Sequence, residues 1–484
     1  MALCGAGIVT AVIPERARPM FELLEGVSGR FSAAGFKLYL VGGVVRDLLM
    51  PADADEADHS DSSNDLDLTT DASPAEIKRL LEPLAEAIWT QGERFGTIGA
   101  QLAGETIEIT THRTEVYDPQ SRKPKVSFTG TDLRTDLSRR DFTINAMAID
   151  LGRDPNGEFT PELVDPFGGV DDLLAKRLRT PIDPEVSFAD DPLRMMRAAR
   201  FIARFDLSVD EALITAVGSG QQRLGIVSAE RIRDELCKLV VVPDPSAGLW
   251  FLYDTGLSDT FMPELSTMRV EQDPIHRHKD VLSHTIAVVA KAPPELLVRL
   301  SALFHDIGKP KTKAIGANGV SFHHHEVVGA RMTRKRMREM KFSNEMVDEV
   351  SQLVYLHLRM HTYQLGWTDS AVRRFVRDAG ELLPELLALT RSDCTTRNKR
   401  KADALERRID ELEDRIKALA ETEELAAIRP DLNGNQVMTH LGIKGGPEVG
   451  EALDYLLELR LENGPLEQAA AYEAIERWWS DREQ

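Results

Sequence analysis

The chain has 484 residues, with 59 Lys and Arg against 79 Asp and Glu, a formal net charge of −20. At 42% hydrophobic it can fill several ordinary domain cores. No apolar run reaches the roughly 18 residues a membrane span needs, and the strong negative charge argues at first against nucleic acid as a partner.

The first residues, MALCGAGIVTAVIPERARPM, hold a short apolar run with no basic residue before it, a poor secretory signal. Cys4, Cys237 and Cys394 lie far apart in no metal-ligand spacing, so the expected compartment is the reducing cytoplasm. Apolar residues at helical spacing predict a helix over 15–34. LYLVGGVVRDLLM (Leu38–Met50) reads as a buried strand, a turn at Gly42-Gly43 and a helix from Val44. Glycines let backbone approach a ligand, and helix-start N–H groups favour phosphate. Ala52–Asn64 reads as an acidic, mobile loop. In DLDLTT (Asp65–Thr70) side chains alternate, so on a strand Asp65 and Asp67 face one way and can share a metal ion. Ser73-Pro74-Ala75-Glu76 is a capping box, predicting a helix to about Ala87. Thr97–Leu102 and Thr106–Thr111 predict a hairpin, and Asp118–Arg134 a flexible loop over the site.

Further on, Asp136–Ile149 reads as one helix and Leu163–Pro166 as a strand stub. A long helix is predicted from about Pro184 to Arg204, with Arg194, Arg197, Arg200 and Arg204 on one face. Shorter helices follow to about 266, then a His-rich helical segment over His276–Arg359. Ala402, Leu405, Ile409, Leu412, Ile416 and Leu419 form a heptad stripe suited to an intramolecular helix hairpin. From Asn433 the chain reads as helical around Gly445-Gly446-Pro447. Basic clusters at Arg122–Lys125, Arg139-Arg140, Lys176–Arg179, Arg194–Arg204, Arg331–Lys341 and Arg397–Lys401 leave tracks able to grip a phosphate backbone despite the overall charge.

Three constellations carry chemistry. Two carboxylates facing a Gly-Gly turn suit nucleotidyl transfer, with Mg²⁺ clamping the phosphates. In SFADDPLRMMRAARF, the arginines repel one another unless anions lie against them, as salt-bridged carboxylates or as a bound nucleotide. An Asp191–Arg194 pair can accept from an amino group and donate to a ring nitrogen. Cytosine and adenine present that combination; uracil and guanine present a carbonyl instead. In RRDFTINAMA, Arg139 and Arg140 can take phosphate, and Asp141 or Asn145 a ribose hydroxyl, or Asp141 can simply cap a helix. The third lies in HRHKDVLSH, LFHDIGKPKT, FHHHE, YLHLR and RSD. His305-Asp306 inside an apolar helix must be satisfied. With His284 upstream and Asp393 downstream, imidazole and carboxylate suit a divalent transition metal.

GGVVRD, DLDLTT, RRDFTINAMA, LVDPFGGVDDL and DDPLRMMRAARF occur in this order and resemble bacterial CCA-adding tRNA nucleotidyltransferases, the class that also holds bacterial poly(A) polymerases, over residues 35–265. The resemblance implies an α+β fold: a small mixed-sheet, palm-like head (15–170), an all-helical neck (171–265), an HD domain (270–395) and a helical tail (396–484). It implies Asp65 and Asp67 as catalytic Mg²⁺ ligands. Gly42, Gly43, Arg46, Arg140, Asp141, Asn145, Asp191, Arg194, Arg197 and Arg200 would bind nucleotide. Asp190 stands where the family usually has Glu. The His-rich segment resembles the HD phosphohydrolase superfamily. That implies His284, His305, Asp306 and Asp393 as ligands of a second divalent metal, with Lys309, His325 and His357 near a phosphate or another ion, or else a vestigial HD fold serving as a tRNA-binding body. His59, His323 and His324 are read as exposed and incidental, and His112 has no assigned role. The implied reaction is template-independent addition of C, C and A to tRNA from CTP and ATP, releasing pyrophosphate. The alternatives are a poly(A) polymerase, a CC- or A-adding enzyme, or an HD phosphohydrolase. The implied partners are tRNA, CTP and ATP, with no membrane, as monomer or homodimer.

Overall fold

The computed structural model describes all residues except 1–8, 11–14, 51–64, 119–120, 128–130, 271–279, 317–318, 363–366, 396–397, 424–427 and 483–484. The acidic loop 52–64, with His59, lies outside the described residues, as does Cys4. The chain forms two compact units, Met1–Ser266 and Thr267–Gln484.

The first unit is built on an eight-stranded sheet. In chain order its strands are β1 (Val9–Thr10), β2 (Leu38–Val41), β3 (Asp65–Thr70), β4 (Ala87–Trp89), β5 (Thr97–Leu102) and β6 (Glu105–Thr111), then, after a separate hairpin β7 (Thr114–Asp118) and β8 (Ser121–Ser127), β9 (Ala148–Asp150) and β10 (Glu162–Val164). The spatial order is β1-β10-β9-β2-β3-β6-β5-β4. Only β3 and β6 run parallel within it. Side-chain alternation decides which face carries the site. Leu38 and Leu40 of β2, Leu66 and Leu68 of β3, and Ile107 and Ile109 of β6 enter one core, with Phe21, Leu24 and Phe31 of α1 (Arg18–Ala33) and Ile77 and Leu81 of α3 (Pro74–Leu81). Tyr39 and Val41 turn the other way, to a smaller cluster with Leu137, Ala146 and Ala148. On β3, Asp67 belongs to that second face. Between β2 and β3, α2 (Gly43–Leu49) follows the glycine turn.

Several expectations change. The capping box at Ser73 is present, but α3 stops at Leu81. Pro83 cannot donate to a further helical bond, and Ala87–Trp89 is instead the edge strand. The segment expected as a loop holds the β7/β8 hairpin and then α4 (Leu133–Ser138). Its ladder is made by backbone groups, so its polar composition concealed it. The expected helix over 136–149 is three pieces: the end of α4, a 3-10 turn at Thr143–Asn145 and strand β9. Here the Asp141 carboxylate accepts from the Phe142 N–H (2.8 Å) and competes with helical bonding. After α5 (Gly169–Leu174), the expected helix over 184–204 is two: α6 (Pro184–Asp190) and α7 (Leu193–Phe205). Pro192 forces Asp191 into extended geometry (φ −133°, ψ 100°), which ends α6. The helical part, with α8 (Glu211–Gly220) and α9 (Ala229–Val240), also contains a two-residue parallel pairing of Arg177–Leu178 with Ser208–Val209.

The second unit is mainly helical. It departs from that in one hairpin, Lys313–Gly316 with Gly319–Phe322. The heptad stripe lies on the helix Lys399–Thr422, whose Ile409 and Leu412 are fully buried. The last three helices close on their own core of Leu432, Val437, Ala452, Leu456, Ala471 and Ile475.

Candidate active site

In the first unit a cleft of about 1030 Å³ opens beside the β2–α2 turn and is lined from β3, α7 and α9 as well. Gly42, Gly43, Arg46, Asp67, Arg140, Asp141, Asn145, Asp191, Arg194, Arg197 and Arg200 all line it, so every expected site residue of the head and neck except Asp65 does so. Asp65 sits two residues before Asp67 on β3, opposite Thr106; its side chain lies outside the described residues. Nine basic and five acidic residues line the cleft, a formal excess of four positive charges in a chain of net −20. A low-dielectric cleft with that excess suits a polyanion such as a nucleoside triphosphate.

The floor is the turn from β2 to α2. Gly42 has φ 87° and ψ −154°, a conformation open essentially to glycine. A Cβ there would lie 3.3 Å from Asp67 Oδ2 and 3.5 Å from Arg140 Nη1. The Asp67 carboxylate and the Arg140 guanidinium therefore both stand over the turn. Arg140 is held loosely: its nearest carboxylate is Asp136, at 3.8 Å, and its buried Nε has no hydrogen-bond partner. It lines the cleft as one of its cations.

The other charged groups are bonded to each other. Arg46, 4% exposed, donates to Asp47 (2.8 Å) and to Asn145 Oδ1 (2.7 Å), and its guanidinium lies 4.5 Å from the Phe205 ring centroid. The Asn145 amide donates to Asp141 (3.0 Å), and Arg197 Nε donates to the other Asp141 oxygen (2.7 Å). Arg200 Nε donates to Glu235 (2.8 Å). These carboxylates make the arginine-rich face of α7 tolerable. Burial works to raise the Asp141 carboxyl, but Arg197 and Asn145 outweigh it and hold it below the usual range. Burial works to lower the Arg197 guanidinium, and Asp141 and Glu235 raise it.

Asp191 and Arg194 flank the α6–α7 break. The Asp191 carboxylate accepts from Leu193 N–H (3.1 Å) and lies 3.8 Å from Arg231. Arg194 donates to the Ser187 carbonyl (3.1 Å), to Ser187 Oγ (2.7 Å) and to the Arg139 carbonyl. Of its five N–H groups, two are left by these bonds. Sequence reasoning did not assign Arg231, Glu235 and Lys238. Their spacing on α9 puts them on one face, a readable signal that needed the packing of α9 on α7 to acquire meaning. Glu108 was also passed over; its register with Asp67 puts it beside that residue on β6.

The second unit gathers the histidines. His284 Nε2 lies 2.9 Å from Asp393, and His305 Nε2 3.4 Å from His284 Nε2. Asp306 stands between two groups: its Oδ2 is 3.1 Å from His305 and its Oδ1 is 3.3 Å from His325 and 3.9 Å from His357. Lys309 Nζ donates to Asp306 Oδ2 at 2.7 Å. Three imidazoles are oriented by backbone: His305, His325 and His357 each set Nδ1 against a carbonyl three residues back, of Ala302, Phe322 and Val354. Their Nε2 atoms therefore point inward; that of His325 faces Asp306 Oδ1, and that of His357 is buried with no hydrogen-bond partner. Burial pushes His357 down to about 3, leaving the neutral, ligating form. Two triads, His284–His305–Asp393 and Asp306–His325–His357, each have the compactness to hold a metal ion. His323 and His324 are exposed.

A Gly-Gly turn, a β3 carboxylate and an arginine-lined cleft on a mixed sheet define a polymerase-type nucleotidyltransferase head. The comparisons agree. A Poly A polymerase head domain model matches residues 38–179, a model described as a probable RNA- and SrmB-binding site of polymerase A matches 206–268, and an HD domain model matches 281–420. An A-adding tRNA nucleotidyltransferase of Deinococcus radiodurans is 36% identical over 363 residues, 72% of this chain and 80% of that protein. A CC-adding tRNA nucleotidyltransferase of Thermus thermophilus is 30% identical over 455 residues, 89% of this chain and 92% of that one. A CCA-adding enzyme of Lactobacillus helveticus is 39% identical, aligned over 50% of this chain and 54% of its own. The chain belongs to the tRNA nucleotidyltransferase family and is a nucleotidyltransferase with a fused HD domain. Its fold is that of the Bacillus stearothermophilus CCA-adding enzyme solved with CTP (TM-score 0.64, 23% identity, 96% and 99% of the two chains). The Thermotoga maritima CCA-adding enzyme solved with tRNA shares it (TM-score 0.59, 18% identity, 96% of each). Among the described residues no helix is long and apolar enough to cross a membrane.

Proposed function

We propose that the chain adds C, C and A to the 3′ end of tRNA in the cytoplasm, taking CTP and ATP and releasing pyrophosphate. The observation that carries this is the cleft: Asp67 lies against the Gly42 turn inside a wall with a positive excess sized for a triphosphate. Asp65 and Asp67 are the residues to hold Mg²⁺; when bound, that ion neutralises phosphate charge and acidifies the attacking hydroxyl. The Gly42-Gly43 backbone cradles phosphates, and Arg140, which lines the cleft beside that turn, takes a phosphate oxygen. Asp141, Asn145 and Arg46 brace the sugar side. Arg197 and Arg200 line the phosphate side of the neck. Asp191 accepts from the exocyclic amino group of cytosine or adenine while Arg194 donates to the adjacent ring nitrogen, which selects against UTP and GTP. We assign the head to 15–170, the neck to 171–265, the HD domain to 270–395 and the tail to 396–484. In the HD domain, His284, His305, Asp306 and Asp393 hold a divalent transition metal; the compact His–Asp groups and the buried, unpartnered Nε2 of His357 support a built cation site.

A second reading is partial addition, of CC or of A alone. It is favoured by two relatives that align over 80% and 92% of their own length, an A-adding and a CC-adding enzyme. The test is to incubate tRNA ending before the first C, and after CC, with CTP, ATP or both. Three-nucleotide extension with both, and two with CTP alone, supports full CCA addition. Arrest at CC, addition only to the CC-ended substrate, or a long A tail each assigns the corresponding rival. Phosphate release from a terminal or cyclic phosphate, lost in His305→Ala, would add hydrolysis to the second unit.

A further inference from the structure

We propose that Trp89 is the platform on which the 3′-terminal base of the RNA acceptor stacks. The proposal rests on the tRNA nucleotidyltransferase reading above and says where the attacking strand lies. Trp89 belongs to β4, the edge strand, outside every motif that signalled the site. It is half-buried. Strand register ties it to the catalytic carboxylate. Asp67 pairs with Glu108, Glu108 with Gly99, and Gly99 with Trp89. Residues directly opposite one another share one side of a sheet, so these four form a single row across the face that bears Asp67. Gly99 has no side chain, and the indole takes the space: a Cβ on Gly99 would collide with Nε1, Cε2 and Cδ1 of Trp89. The ring therefore leans inward along the row, toward Glu108 and Asp67, and not out from the edge.

The geometry of the reaction says what arrives there. In nucleotidyl transfer the attacking and leaving oxygens stand on opposite sides of the reacting phosphorus. The triphosphate takes the side of the Gly42 turn, at the end of β2, with the arginines of the cleft. β2 and β6 flank β3 on opposite sides. The attacking 3′-hydroxyl therefore comes in over β6 and β5, and its own base falls toward β4. Asp67 and Gly99 are two strand spacings apart, about 10 Å, which is the reach of a terminal nucleotide from hydroxyl to base. Every base has a π-face, so a stacking platform holds whichever base ends the strand, while the cleft on the other side of Asp67 reads the incoming one. The turn after β4 adds a second ring, Phe95, 41% exposed, with the Arg94 guanidinium 4.6 Å from its centroid. Aromatic faces beside cations are what a single-stranded RNA end binds.

The test is single-nucleotide addition to two tRNA acceptors, one with a normal 3′-terminal nucleotide and one whose terminal residue is abasic, by wild type, Trp89→Leu and Trp89→Phe. We expect Trp89→Leu to raise KM for the normal acceptor about tenfold, with KM for the incoming nucleotide within about twofold and the melting transition unmoved, and Trp89→Phe to stay within about threefold of wild type. The abasic end should cost wild type about tenfold and Trp89→Leu nothing further, because ring and base are the two halves of one contact. Additive losses overturn the proposal. So does a matching rise in KM for the incoming nucleotide with a lowered melting transition, which would make the indole mere filling over Gly99. If Trp89→Leu does not fold, wild type decides alone: an abasic end accepted within about twofold of the normal one overturns the proposal. A wild-type chain that adds nothing to tRNA defeats the enzyme reading instead, and the same cycle, read as equilibrium binding of the two RNAs, then decides where the terminal base sits.

Discussion

Both units bring carboxylates and nitrogen cations together, yet they build opposite sites. The cleft of the first unit is open, rich in arginine and positive in excess, and most of its charged groups are bonded to each other. The His–Asp cluster of the second is closed, with His305, Asp306, His325 and His357 nearly inaccessible and the His357 Nε2 unpartnered. Arginine cannot give up its proton, so an arginine wall can only receive an anion. Neutral imidazole offers a lone pair, so a buried imidazole set can only be completed by a cation or a proton. Burial and choice of base, more than the count of carboxylates, separate a phosphate cleft from a metal cradle.

The sharpest way to break this comparison is to remove one carboxylate from each. Asp67→Ala is expected to slow nucleotide addition about a thousandfold or more while tRNA still binds, because the loss falls on charge developed in the transition state. Full activity would show that the cleft does not work through that carboxylate. His305→Ala should leave addition within about twofold but weaken divalent-metal binding about 100-fold or more, read by metal content after dialysis. Loss of addition in His305→Ala would merge two sites that the geometry treats as separate.

Two glycines sharpen the contrast at smaller scale. Gly42→Ala strains a φ of 87° and pushes a methyl group toward Asp67 Oδ2 and Arg140. A cost of about 1–3 kcal/mol is expected, with addition reduced and metal content in the second unit unchanged. Gly308→Ala would set its Cβ 2.2 Å from the His325 carbonyl oxygen. It should displace His325 and lower metal binding and the melting transition of the second unit, with addition retained. Melting curves with activity and metal assays on both variants check the pair.

Local rules made much of this legible. The glycine turn, the alternating DLDLTT strand and the arginine spacing each announce chemistry through residues adjacent in sequence. The break at Asp191-Pro192 was also readable, since proline restricts its predecessor, and helical periodicity concealed it. What stayed hidden was tertiary. Nothing local tells that Glu235 meets Arg200, that Asp141 holds Arg197, or that Glu108 stands in register with Asp67. In FHHHE, three consecutive histidines look alike; only the tether of His325 Nδ1 to the Phe322 carbonyl picks out the inward one. The β7/β8 hairpin escaped because a backbone ladder leaves little mark on polar sequence.

The smallest effect expected is a pH dependence of stability in the first unit, and its sign follows from the arginine wall. Asp141 is buried, which alone would raise its carboxyl; Arg197 and Asn145 hold it below the usual value. Asp136 is likewise buried and held low by Arg139 and Arg140. A carboxyl whose folded value lies below its unfolded one, near 4, stabilises fully above that unfolded value and loses the contribution as pH falls through the lower folded value. Asp141→Asn should therefore be less stable than wild type at pH 6–7, with the gap closing only below about pH 4. Melting curves of both proteins across that range check it. A gap that closed instead as pH rose would mean that Asp141 is not ion-paired to Arg197, and the run of contacts from Arg46 through Asn145 to Arg197 would be cut at its centre.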